Sequence, residues 1–179
     1  MTLTHRLRLL GPIAVVCVAL DQITKAVAKK YLTLTDLHSL LGDTVRLQLA
    51  HNRGAFLSLG DALPEVWRQS VFTVGVGVLL LALLIFTLRA KTVDRYMLIA
   101  LVLIVSGGAS NLADRLIYGG YVVDFVQVGI GWLRTGVFNV ADMVIMAGTF
   151  LLLFDVFRKR GPAAPDSSAP GPSTPDPSA

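Results

Sequence analysis

The sequence predicts a mainly α-helical membrane protein, with four transmembrane helices and a small extracytoplasmic region of β-sheet and loop. Three observations carry that expectation. The 179 residues are 54% hydrophobic and only 16% charged, with a mean hydropathy of +0.65, whereas soluble domains average about 25% charged residues. Residues 71–88, 96–113 and 137–154 are 18-residue stretches that contain a single charge between them, Asp142, and a bilayer-crossing helix needs about 20 mostly apolar residues. The connection 31–66 is polar enough to lie outside the bilayer and alternates like a strand in its middle.

The first span is expected over about 10–30. Leu9–Leu20 is purely apolar, and Asp21, Gln22, Lys25 and Lys29 then enter. Arg6 and Arg8 before a 12-residue apolar run also fit a cleavable signal peptide. Against that, Leu20-Asp21-Gln22 is a poor cleavage site, and the helical pattern continues through Ile23, Ala26 and Val27. Asp21, Lys25 and Lys29 are four residues apart and share one helix face, which can turn toward the bundle. In the insert 31–66, Val45-Arg46-Leu47-Gln48-Leu49 reads as a half-buried strand, Asn52-Arg53-Gly54 as a turn, and Ala55-Phe56-Leu57 as a resumed apolar run. A small sheet resting on the membrane surface fits this pattern. Spans over about 68–88 and 96–115 follow. Gly119–Gly136 is a second external connection with a strand-like Tyr121–Val128, and the last span covers about 137–157. Residues 1–160 thus form one membrane domain. Residues 161–179 hold six of the eight prolines and read as a disordered tail.

Basic residues set orientation through their placement near span ends. Eight lie on each side of the expected topology, so counting is neutral. Arg6, Arg8, Arg89, Lys91, Arg95, Arg158, Lys159 and Arg160 directly abut the spans, however, while the other eight are spread over long connections that include acidic residues. Density therefore places both termini in the cytoplasm. One Cys (Cys17) cannot make an intramolecular disulfide, and three scattered His (His5, His38, His51) form no HExxH pattern. No metal and no cofactor are expected. The net charge of +4 is not organised as a basic stripe among aromatics, so no nucleic-acid partner is expected either.

Charges inside a bilayer are costly, and each is a functional-site hypothesis. Asp142 falls five residues into the expected last span, about 8 Å along the helix. Its plainest reading is a carboxylate stabilised by the helix dipole. Asp124, alone, reads as a turn or strand-edge carboxylate. The connection between the last two spans nevertheless brings both to one membrane face. Two carboxylates in a low-dielectric site do not both ionise cheaply, so one keeps its proton. The pair then offers a general base for water and a general acid for a carbonyl, the need of metal-free peptide hydrolysis. Which one holds the proton is open, depth favouring Asp142. Asn111, Asp114 and Arg115 close the third span, and Asn139 precedes Asp142 by three residues. Asp114-Arg115 also reads as an interfacial charge anchor, Asp21–Lys25 as an intrahelical ion pair seating the first helix, and Gly107–Ser110 as a close-packing run.

A transport or channel protein would also use intramembrane carboxylates. Its carboxylates belong near the midplane, whereas Asp142 lies near one edge and Asp124 beyond it. There is also no inverted repeat. The GxGD, GxSG and Asp-Thr-Gly signatures of other proteases are absent.

Five motifs occur in order: Asp21-Gln22-Ile23-Thr24-Lys25 (D-x-x-[ST]-K), Asn52-Arg53-Gly54-Ala55 (N-x-G-A), Asn111-Leu112-Ala113-Asp114-Arg115 (N-x-x-D-R), Val122-Val123-Asp124-Phe125 (V-x-D-[FY]) and Phe138-Asn139-Val140-Ala141-Asp142 (F-N-x-A-D). Together they resemble the bacterial lipoprotein signal peptidases (signal peptidase II), four-span aspartic proteases, over roughly residues 10–155. The resemblance implies that Asp124 and Asp142 are catalytic. It implies that Asn52, Gly54, Asn111, Arg115 and Asn139 shape the substrate cleft, with Asp114, Asp21 and Lys25 in support. It further implies prolipoprotein substrates carrying a diacylglyceryl Cys and cut just before it, contact with membrane lipid, globomycin-type inhibitors, and residence in the bacterial cytoplasmic (inner) membrane with the site near its extracytoplasmic face. Ser110 stands where the family usually has Gly, and Phe56-Leu57 replaces a commoner Ala-Phe.

Overall fold

A computed structural model describes residues 3–54, 64, 67, 70–90 and 93–159. The apolar run at 55–57, the start of the second span at 68 and the Pro-rich tail lie outside the described residues. Helix α1 is Leu3–Tyr31. Strands β1 (His38–Leu40) and β2 (Val45–Asn52) follow. A π-helical stretch, Ser70–Gly75, runs into α2, Val76–Arg89. Helix α3 is Arg95–Ile117, leading directly into β3 (Val122–Ile130) and β4 (Leu133–Arg134), and α4 is Val140–Lys159. All four helical segments are long and apolar enough to cross a membrane.

Helix α3 is the hub. Half of its most apolar window is buried, against 11–17% in the other three. The partners need close approach, and glycines permit it. A Cβ on Gly107 would lie 2.6 Å from the Ala141 carbonyl oxygen of α4, and one on Gly148 would lie 2.8 Å from the Ala100 oxygen of α3. Residues such as Val16, Ile23, Val78, Leu81, Phe150 and Phe157 remain exposed around the bundle, the outward apolar surface of a membrane protein.

The sheet is antiparallel in the order β1-β2-β3-β4. Because β3 follows α3 and β4 precedes α4, the sheet sits at one end of the bundle. In β2, Leu47 opposes Val126 while Ala50 opposes Asp124, so one extra residue forms a bulge. The bulge switches the strand's phase: Val45 and Leu47 before it, and Ala50 and Asn52 after it, all lie on the face that carries Asp124.

Two expected boundaries shift for physical reasons. Helix α1 begins well before residue 10, because Arg6 is buried and its guanidinium donates to the carbonyls of Thr87, at 2.8 Å, and Ala90 at the end of α2. Helix α4 begins at Val140 rather than 137. Phe138 bridges to Val126 of β3, and its carbonyl accepts from the N–H groups of Phe125 and Val126, so the chain stays extended until Asn139. Asp142 is therefore the third helical residue, shallower than the five-residue depth expected from hydropathy.

Gly107→Ala is expected to displace the start of α4 and to lower stability by about 1–3 kcal/mol, the usual penalty for overpacking. Thermal unfolding of the variant in detergent would check this.

Candidate active site

The site is built where α1, α3, β2, β3 and the start of α4 meet, and its foundation is a buried cation. Lys25 is only 2% exposed. Its Nζ lies 2.7 Å from Asp21 Oδ2 and 2.9 Å from Asp114 Oδ2, and it donates to Asn111 Oδ1 at 2.9 Å. All three ammonium protons thus have acceptors, as a buried ammonium requires. The Asp21–Lys25 pair is intrahelical, as the spacing predicts, and Asp114 joins it from α3. Asp114 is no interfacial anchor. It is buried, and it also accepts from Gln22 Nε2 at 3.0 Å and from the Val123 N–H of β3 at 3.1 Å.

Asn111 carries this order to Asp142. Its Oδ1 is committed to Lys25, so its amide group must point the other way, and Nδ2 donates to Asp142 Oδ1 at 2.9 Å. A flipped amide would set an NH2 group against an ammonium.

Helix α4 opens with a reciprocal cap. Asn139 is its N-cap: Oδ1 accepts from the Asp142 N–H at 2.9 Å, while the Asn139 N–H donates to Asp142 Oδ2 at 3.2 Å. This is the capping-box arrangement with Asp in the acidic position. Asp21 reaches across from α1 and accepts the Ala141 N–H at 2.8 Å, satisfying another of the donors that a helix N-terminus leaves free. Ser110, the departure from the family's usual Gly, donates to Asp21 Oδ2 at 2.7 Å and accepts from Gln22 Nε2 at 3.0 Å.

Asn139 also joins the two carboxylates. Its Nδ2 donates to Asp124 Oδ1 at 2.7 Å, so one residue holds Asp124 through its side chain and Asp142 through its backbone. Asn52 Nδ2 donates to Asp124 Oδ2 at 3.0 Å, and Asn52 Oδ1 accepts the Gly54 N–H at 3.1 Å. Arg115 Nη2 donates to the Gly54 carbonyl at 3.1 Å. Asp124 is 1% exposed. Burial, and then the negative charge of nearby Asp142, push its pKa up to about 7 against the bonds from Asn52 and Asn139.

The structure therefore places all ten sequence-selected residues (Asp21, Lys25, Asn52, Gly54, Asn111, Asp114, Arg115, Asp124, Asn139 and Asp142) in one hydrogen-bonded assembly. Sequence reasoning passed over the part played by Gln22 and Ser110, and it missed the cap, although Asn139-x-x-Asp142 carries the cap's spacing. Among the described residues, no three His, Cys, Asp or Glu side chains converge as a metal site. A cleft of about 770 Å³ opens beside the assembly, with Asn52, Asn111, Arg115 and Asp142 at its polar end and Val128, Phe138, Met143, Met146 and Phe150 along its apolar walls.

The family model described as signal peptidase (SPase) II matches residues 13–158. The chain belongs to that family. It is 33% identical over 147 residues to a lipoprotein signal peptidase of Paraburkholderia phymatum, covering 82% of this chain and 86% of that protein. To a lipoprotein signal peptidase of Mycobacterium leprae it is 37% identical over 154 residues, covering 83% of this chain and 71% of the relative. A solved bacterial membrane enzyme superposes with a TM-score of 0.74 at 25% identity, covering 85% of this chain and 89% of that one. The four-helix membrane fold with its small sheet is thus shared with a known member of the bacterial membrane enzymes.

Two outcomes follow for this signal peptidase II family member. Lys25→Met leaves two buried carboxylates without their cation and is expected to cost about 3–5 kcal/mol, read as a fall in unfolding temperature in detergent. Asp124→Asn has a pH-dependent effect. Because the folded protein keeps the Asp124 proton up to about pH 7, the parent loses stability as pH rises from about 4 to 7. The Asn variant escapes that loss, so its stability relative to the parent should rise by about 2–4 kcal/mol between pH 4 and above pH 7, from a deficit at pH 4 set by its amide NH2 facing the donor of Asn52 or Asn139. Unfolding curves at the two pH values would test it.

Proposed function

We propose that this chain is an intramembrane aspartic endopeptidase that removes the signal peptide from diacylglyceryl-modified prolipoproteins by cutting immediately before the lipidated Cys. Its membership of the signal peptidase II family supports the substrate class. The observation that carries the chemistry is Asn139 holding Asp124 and Asp142 together, at 2.7 and 3.2 Å, with Asp142 lining the cleft and Asp124 buried behind it.

In this reading Asp124 holds the proton that the pair shares, and Asp142 is ionised. Depth in the bilayer favours the reverse, but α4 starts late enough that Asp142 lies in its first turn, where the helix dipole favours negative charge. Asp142 takes a proton from a water molecule as its oxygen attacks the scissile carbonyl. Asp124 gives its proton to the carbonyl oxygen, so the tetrahedral intermediate is uncharged. Collapse returns the hydroxyl proton to Asp124, breaks the C–N bond, and passes the proton held by Asp142 to the departing amine of the lipidated Cys. Asn52 of β2 and Arg115 of α3 line the cleft and hold the peptide, with the Gly54 carbonyl fixing the Arg115 guanidinium. The apolar walls receive the substrate's apolar portions and, competitively, globomycin-type inhibitors.

The site then lies near the extracytoplasmic face of the bacterial cytoplasmic membrane, with both termini in the cytoplasm. Residues 1–160 form the protease domain.

Asp124→Asn and Asp142→Asn should each lower cleavage of a purified diacylglyceryl prolipoprotein by about 10²–10⁴-fold or more, with unfolding in detergent showing an intact fold. Parental cleavage in either variant would overturn the mechanism. For the parent, the rate should fall as pH rises above about 7, where Asp124 loses its proton, and a pH–rate profile reads this directly.

A further inference from the structure

The sheet has two chemically different faces. Pairing puts Ser39, Arg46, Gln127 and Arg134 on one, where Asp43 lies 2.7 Å from Arg46 and 2.6 Å from Arg134. The other face carries Asp124 at its inner end and continues outward through Val126, Val128 and Ile130, with Leu133 paired to Ile130. Its inner part lines the cleft. Its outer part does not: Ile130 is 77% exposed, Leu133 68%, and Trp132, in the turn between them, 93%. The β1–β2 turn lies alongside, since the Gly129 N–H donates to the Thr44 carbonyl at 2.9 Å, and it adds Leu41 at 79% exposed.

The cleft shows what covers this apolar end. Val128 walls it from the sheet, and Met143, Met146 and Phe150 wall it from the outward side of α4. The sheet's apolar face and the lipid-facing side of α4 thus border one opening, and the face runs on from there, away from the bundle. We propose that Leu41, Ile130, Trp132 and Leu133 insert into the headgroup–acyl boundary of the bilayer leaflet into which the cleft opens. Lipid, not the substrate, is the occupant, because these four residues lie outside the cleft. An indole suits that depth, with an apolar ring and one N–H donor. The Asp43-bound arginines lie on the opposite face. The proposal rests on the four helices being membrane spans, and not on the peptidase chemistry.

The sequence has two Trp, so Trp67→Phe leaves Trp132 as sole emitter. In phosphatidylcholine vesicles, lipids brominated high on the acyl chain should quench Trp132 by about half or more, and aqueous iodide should quench it at least about fivefold less than an indole placed by Gln127→Trp in a Trp67→Phe, Trp132→Phe background. Iodide quenching equal at the two positions would overturn the proposal. So would equal lipid quenching at both, or protection of Trp132 that arises only when prolipoprotein is added. A cleavage assay on the Trp67→Phe vesicles separates the two readings: lipid contact without cleavage defeats only the peptidase, and cleavage with a water-exposed Trp132 defeats only the insertion.

Discussion

The Lys25 ammonium sits between the carboxylates of Asp21 and Asp114 with almost no exposure to solvent, and the geometry of the site depends on that arrangement. A buried ammonium needs three acceptors and countercharge, and the chain supplies them from two helices. Once Asn111 Oδ1 is taken as the third acceptor, the amide has one orientation, and Asp142 receives a donor at a fixed place. The same two carboxylates do further positioning work. Asp114 anchors the Val123 N–H at the start of β3, one residue before Asp124, and Asp21 binds the Ala141 N–H, one residue before Asp142. Each carboxylate of the ion triad therefore grips the backbone immediately preceding one of the two site aspartates.

The N-terminus of α4 shows how a helix end can hold a carboxylate without consuming it. Each Asp142 oxygen accepts one N–H, from Asn111 and from Asn139, and a carboxylate oxygen has room for more than one donor. The remaining capacity faces the cleft that Asp142 lines. Rigid placement on the first turn of a helix and open access for a small molecule are thus satisfied together.

Much of this was legible in the residues. The uncharged runs around 71–88 and 96–113 could only be spans, the alternation at Val45–Leu49 marked β2, and the four-residue spacing of Asp21 and Lys25 gave their ion pair. What escaped was long-range. No periodicity says that Lys25 reaches Asn111, or that Ser110 and Gln22 complete the triad's surroundings, because those contacts depend on how α1 and α3 cross. The start of α4 was misplaced for a different reason. Hydropathy counts Val137 and Phe138 as span, but backbone bonds from β3 hold Phe138 extended. Arg6 misled in the same way: a charge near a chain terminus reads as a flank, yet it caps the carbonyl end of α2 from inside the bundle.

The extra residue in β2 divides the strand into two halves that obey opposite parities. Inward of it, even-numbered positions face the carboxylates; outward of it, odd-numbered ones face the same side. The outer half can consequently drift in length and composition while Asn52 keeps its place over Asp124, since the irregularity absorbs a change of phase before it reaches the site. A lineage could in this way refit the exposed end of its sheet to a different membrane surface without renegotiating its chemistry.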